Sequence, residues 1–170
     1  MFGRQEGFDQ ATDPIVSIQA NKLRRALALN PNSLLFLDGI GYLITLLGEW
    51  KRGPALIRKA IRLNPYYKPV VHYVLWLDCF RQQEYERAYI EMQCLISPSI
   101  FWDPLAKAAT LGQLGGYEEG KQFVKPLLTL KPDFPSRGRI LIKHYIKFED
   151  IVERIIDGLS KVGLKIRTPK

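Results

Sequence analysis

Apolar side chains return along this chain at helical spacing, in short blocks broken by turns. In residues 34–47, Leu34, Leu37, Ile40, Gly41 and Ile44 share one stripe. In 54–63 the stripe is Leu56, Ile57, Ala60, Ile61 and Leu63; in 104–114 it is Leu105, Ala108, Leu111 and Leu114. Near the start, Asp13-Pro14 suits a helix start, an N-cap acid followed by proline in the first turn. Ile15, Ile18, Leu23, Ala26, Leu27 and Leu29 then continue a helix to Asn30. In 149–162, Ile151, Val152, Ile155, Ile156 and Leu159 face inward and Glu153, Arg154, Asp157 and Lys161 face out, with Gly163 as the stop. No two-residue alternation is sustained, so the pattern predicts an all-α fold.

The punctuation between blocks is periodic. "ALALNPNS" at 26–33 and "AIRLNPYY" at 60–67 stop in the same way, and Pro31, Pro65, Pro98 and Pro132 are spaced by 34, 33 and 34 residues. Proline just past a helix end cannot continue the hydrogen-bond ladder. A second mark keeps step with it: Gly48-Glu49-Trp50, Gln83-Glu84-Tyr85 and Gly115-Gly116-Tyr117. Three residues after each aromatic stands a small residue, Gly53, Ala88 or Gly120, as closely crossing helices require. Pro54, Pro69, Pro104 and Pro135 fall near predicted first turns, where proline is tolerated. Pro126 falls inside the helix predicted over 118–130 and should kink it.

A period near 34 marks helix-turn-helix arrays, and on these residues the chain resembles a tetratricopeptide repeat (TPR) protein. One unit reads Leu37-x2-Ile40-Gly41-x2-Ile44, then Gly53-x3-Ile57, then Pro65. The next reads His72-x2-Leu75-Trp76-x2-Cys79, Ala88-x3-Met92, Pro98; the last reads Pro104-x2-Lys107-Ala108-x2-Leu111, Gly120-x3-Val124, Pro132. Trp76 stands where Gly or Ala is usual, and Lys107 where an apolar residue is usual. "GEWKRGPALIRKAIRLNPYYKP", "FWDPLAKAATLGQLGGYEEGK" and "FEDIVERIIDGLSKVGL" also resemble the C-terminal TPR region of bacterial class III nucleotide cyclases and related signalling proteins, over roughly 20–166. The resemblance implies a right-handed α-solenoid of antiparallel helix pairs. It would comprise a tail (1–13), a half repeat (14–31), repeats at 32–65, 66–98 and 99–132, a helical cap (133–166) and a tail (167–170). It implies a non-catalytic protein–protein interaction module with a concave groove for a peptide or helix, as a scaffold or as the regulatory piece of a larger cyclase. It carries over no catalytic residue. The groove candidates are Asp38, Tyr42, Thr45, His72, Trp76, Trp102 and Leu105. Tyr42, Trp76 and Trp102 there either anchor a partner or fill gaps between helix pairs. Trp50, Tyr85 and Tyr117 read as structural aromatics. Open solenoid ends also allow a homodimer.

Charge and chemistry add little that competes. The net charge is +8: residues 1–65 hold nine bases and five acids, 66–130 six and seven, 131–170 ten and five. Such a balance suits nucleic acid or an acidic partner. The bases are spread singly and no aromatic ladder accompanies them, so nucleic acid is the weaker reading. Cys79 and Cys94 cannot make a disulfide framework or a four-ligand zinc site and read as buried small hydrophobes. His72 and His144 have no ligand spacing around them. Gly115 to Lys121 fits the first part of a phosphate-binding loop, but Gln122 replaces its Ser or Thr, Glu118 and Glu119 would repel phosphate, and no strand precedes it. The expectation is therefore no enzyme activity, no cofactor and no metal. The start of the chain does not read as a signal peptide and no apolar run is long enough for a membrane span, which leads us to expect a cytoplasmic chain.

Overall fold

Three of the turns between helices are closed by one backbone device. In the computed structural model, which describes residues 34–167 and the helical positions 18, 21–23, 25, 28 and 29, Gly48, Gln83 and Gly115 all take positive φ (92°, 61° and 82°). The next residue in each case bonds back to the helix it has left: Glu49 N–H to Ile44 O, Glu84 N–H to Cys79 O, Gly116 N–H to Leu111 O. That bond satisfies a carbonyl that the helix end leaves open, and it needs a left-handed residue before it. Gly163 (φ 92°), with Leu164 N–H bonded to Leu159 O, repeats the device at the end of the last helix. Among the described residues there are nine α-helices and no strand. The helix expected from Asp13 to Asn30 lies largely outside them.

The chain divides into two compact units, 1–65 and 66–170. In the first, α1 (Leu34–Leu46) packs on α2 (Arg52–Leu63). Leu37, Ile40, Ile44 and Ala60 form its core, with Leu23 and Leu56 against them. The helices approach closely at two glycines. A Cβ on Gly53 would collide with Thr45 Oγ1 and stand 2.8 Å from the Gly41 carbonyl oxygen; one on Gly41 would stand 2.9 Å from Ile57 Cδ1. The small residue expected once per unit is thus a packing requirement here.

The second unit opens with a 3₁₀ turn, Pro69–Val71, leading into α3 (His72–Arg81) and α4 (Tyr85–Gln93). There follow α5 (Trp102–Leu114), α6 (Tyr117–Lys121), α7 (Val124–Leu130), α8 (Phe134–Tyr145) and α9 (Glu149–Lys161). The helix expected over 118–130 is broken at Gln122-Phe123. Pro126 explains the place: it lacks an N–H, and its ring would clash with the carbonyl four residues back, that of Gln122. Pro54, Pro104 and Pro135 do sit in first turns, and Pro69 begins the 3₁₀ turn.

Helix α5 is the hub of this unit, in contact with α4, α6, α7 and most extensively α9. At the α5–α9 crossing the backbones touch. A Cβ on Gly112 would lie 2.7 Å from the carbonyl carbon of Gly158, and one on Gly158 would lie 3.0 Å from that of Ala109. The two residues that depart from the repeat pattern are both accounted for around α5. Trp76 is buried and its indole N–H donates to Thr110 Oγ1 at 2.8 Å. Lys107 lies 2.6 Å from Asp103, donates to Leu95 O at 3.3 Å and sits 5.7 Å from the Phe123 ring centre.

Two substitutions test this frame. Gly158→Ala should lower stability by about 1–3 kcal/mol, because a new Cβ must push two backbones apart. Gln83→Gly should raise it by about 0.5–1 kcal/mol, by removing the cost of a side chain at positive φ. Urea denaturation of each variant against wild type measures both.

Candidate partner-binding surface

The residues expected to line a groove separate once they are placed. In the first unit, Asp38 and Tyr42 are half-buried on α1. The Asp38 carboxylate accepts the N–H of its own neighbour, Gly39, at 2.7 Å. Thr45 is fully buried: its hydroxyl donates to Gly41 O at 2.7 Å and faces Gly53 across the crossing, so it offers no surface. In the second unit, Trp76 and Leu105 are core residues, 1% and 0% exposed. The physical reason is the same for all three. An apolar or short side chain on the face turned to the partner helix is consumed by packing.

His72 is also buried, in a small polar cluster. Its Nδ1 lies 2.7 Å from Glu91 Oε2 and its Nε2 lies 3.0 Å from the Tyr67 hydroxyl. In the neutral ring, Nδ1–H donates to the carboxylate and Nε2 accepts the phenol proton. The cluster ties the segment that enters the second unit to α3 and α4. Glu91 and Tyr67 carry no sequence signal that pairs them with His72, because the three meet only through folding.

Trp102 alone of the second-unit candidates reaches the surface, half-buried at the first position of α5. It belongs to an aromatic strip that the sequence pattern did not reveal. Phe101 lies 5.3 Å from Trp102 and 6.2 Å from Phe134, ring centre to ring centre. Tyr145, at the end of α8, meets Trp102 edge-on at 5.7 Å and is 43% exposed. His144 lies 5.0 Å beyond, and the Lys131 ammonium sits 5.6 Å from the Phe101 ring centre at the other end. No hydrogen bond occupies the Trp102 indole N–H or the Tyr145 hydroxyl among the described residues. Two amphipathic rings with open polar tips are well suited to anchor a partner.

Neither cysteine is activated as a nucleophile. Cys79 is buried as expected, but Cys94, expected to be buried likewise, is exposed at the end of α4. Partial desolvation raises both thiols above their ordinary value, with the nearby Glu91 carboxylate adding to it at Cys94, so neither is a ready thiolate. No group of three His, Cys, Asp or Glu among them could hold a metal ion, and no helix among them is long and apolar enough to cross a membrane. The stretch that imitates a phosphate-binding loop has a structural use. Gly115 ends α5, a Cβ on Gly120 would stand 3.2 Å from Leu111 Cβ, and Lys121 pairs with Glu118 at 2.5 Å.

The chain matches no protein-family model, no curated protein and no solved structure.

The outer rim of α9 is held by carboxylates. Hydrogen bonding from Lys143 holds Glu149 below the usual carboxylate range, and hydrogen bonding from Lys161, supported by Gln113, does the same for Asp157. Folded pKa values below the unfolded ones stabilise above about pH 4, and that contribution disappears as pH falls through the folded values. The urea midpoint should therefore fall between about pH 5 and pH 3. Asp157→Asn should flatten part of that fall.

Proposed function

We propose that this chain is a non-catalytic protein-binding module of TPR type. In this reading it is a right-handed α-solenoid of antiparallel helix pairs with a terminal helical cap. It presents a preformed surface to a peptide or helix of another protein. The architecture is supported by the recurrence of one turn, with a left-handed first residue and a small residue five positions on, at Gly48/Gly53, Gln83/Ala88 and Gly115/Gly120. The binding role rests on a single observation. Trp102 and Tyr145 form an edge-to-face pair at the surface with both polar tips free among the described residues. Of the aromatic groove candidates, Trp76 is taken by the core and Tyr42 already has an interaction partner, so the anchor shifts to Trp102 with Tyr145. A rigid ring pair loses little entropy on binding, which is why such residues dominate interface energies.

The test is a partner recovered by using the chain as bait, followed by direct titration. Trp102→Ala and Tyr145→Ala should each weaken that binding by at least about tenfold, a loss of about 1.4 kcal/mol or more. Far-ultraviolet circular dichroism should be unchanged. Unchanged affinity in both variants would remove this surface from the reading, and turnover of a nucleoside triphosphate by the chain alone would remove its non-catalytic part.

A further inference from the structure

One face of α2 is a stripe of cations with no acid on the helix, exposed at Lys51 and Arg62 and half-buried at Arg52, Arg58 and Lys59. Its sequence, with Lys51 before it, is Lys-Arg-Gly-Pro-Ala-Leu-Ile-Arg-Lys-Ala-Ile-Arg-Leu. At 100° per residue, Lys51, Ala55, Arg58 and Arg62 fall within about 60° of one another, with Arg52 and Lys59 beside them. The buried residues Gly53, Pro54, Ile57 and Ala60 lie on the other side. The stripe runs about 16 Å along the helix. Like charges four residues apart, as in Arg58 and Arg62, disfavour a helix by about 0.2–0.5 kcal/mol per pair when nothing neutralises them.

In the second unit many bases are neutralised, although Lys68, Lys125, Lys131, Lys147, Lys165 and Arg167 have no carboxylate within 4.0 Å among the described residues. In residues 66–170, Arg81, Arg87, Lys107, Lys121, Arg137, Arg139, Lys143, Arg154 and Lys161 each have a carboxylate within 4.0 Å. On α2, Arg52 has Glu49 at 3.9 Å and Lys59 has an interaction partner of its own. Lys51, Arg58 and Arg62 have no carboxylate within 4.0 Å among the described residues. Lys22 and Arg25, also exposed, add to the positive charge of the same unit. The net charge of +8 divides equally, +4 in residues 1–65 and +4 in residues 66–170; α2 is the helix on which Arg58 and Arg62 stand together with no acid beside them.

We infer that this stripe docks an acidic helical segment of a partner protein. Three observations choose that occupant. The cations repeat at three- and four-residue steps, the spacing at which a helix laid alongside presents carboxylates. The residue in the middle of the stripe is Ala55, exposed and small, which leaves room for a second backbone. No aromatic stands on α2 to stack a base, and its apolar face is spent on α1 rather than available to a bilayer. This inference rests on the protein-binding reading but uses a different surface from Trp102 and Tyr145.

The experiment titrates the whole chain with a helical peptide of Glu and Ala carrying Glu at three- and four-residue steps. Its Gln counterpart, an RNA duplex and phosphatidylserine vesicles are titrated in parallel. The Glu peptide should bind, the Gln peptide should not, and affinity should fall on the order of tenfold between about 50 and 200 mM salt. Arg58→Glu with Arg62→Glu should cost at least about tenfold. Lys125→Glu with Lys147→Glu, the same change in net charge placed in the second unit, should cost less than about twofold. Trp102→Ala should leave this binding intact. Equal losses in the two charge-reversed variants, or no binding of the Glu peptide, would overturn the stripe as a docking site and leave the Trp102 surface standing. Tighter binding of RNA or vesicles, lost in Arg58→Glu with Arg62→Glu, would overturn the acidic-protein occupant and the protein-binding reading with it.

Discussion

The second unit depends on a contact that only glycine permits. Where α5 crosses α9, Gly112 and Gly158 leave no room for a Cβ, and the backbone of Ala109 completes the contact. This closeness has consequences along the whole of α9. It brings the Gln113 amide to the Arg154 carbonyl at 2.7 Å and to the Asp157 carboxylate at 3.0 Å, and Lys161 back to Gln113 at 2.9 Å. It also lets Arg154 reach past α5 and donate to the Arg81 carbonyl at 2.7 Å. A guanidinium at that end of α3 meets the negative end of the helix dipole and an open carbonyl together. One crossing thus ties the last helix of the chain to the first helix of the unit.

Around that frame, order is set by turn chemistry rather than by the helices' own propensities. Each of Gly48, Gln83, Gly115 and Gly163 ends a helix by the same left-handed step and the same return bond. The bond fixes where the following segment starts. At the first three, a small residue then arrives at the position where the next helix packs back, Gly53, Ala88 or Gly120. Gln83 shows that the step is a requirement of the backbone and not a by-product of glycine. A residue with a side chain takes the same conformation and makes the same bond.

These local devices were readable in the sequence. Helix limits at 34–46, 52–63, 102–114 and 149–161 lie close to those predicted from apolar spacing, and the break ahead of Pro126 follows from the proline alone. What periodicity does not contain is the identity of the neighbour. The stripe on α9 showed that Ile151, Ile155 and Leu159 would be buried, but Gly158 shows what they are buried against only once it meets Gly112. The same limit explains the groove candidates. Thr45, Trp76 and Leu105 lie on faces that a helix pattern marks as important, and the burial of all three is decided by which helix covers them. Tyr145 was missed for the converse reason, because its ring contact is with Trp102, 43 residues earlier in the chain.

The two units carry the same net charge, +4 each, but pair their bases differently. Net charge is a sum, and a sum of +8 is compatible with a solvated surface everywhere. The pairing beneath that sum is not uniform. Residues 66–170 spend their acids locally: Glu149 and Glu153 on Arg139, Asp103 on Lys107, Asp157 on Lys161. Apart from the Asp103–Lys107 pair, whose carboxylate is buried, such pairs contribute little stability each, but all of them remove long-range field. On α2 the Arg52–Glu49 pair removes part of it, while Arg58 and Arg62 stand one turn apart on the same face with no carboxylate within 4.0 Å among the described residues. Fold stability gives no reason for that spacing, since an acid at either position would favour the helix. A reason appears when the counter-charge belongs to another molecule, whose carboxylates relieve the repulsion on arrival and so convert a small folding cost into binding energy.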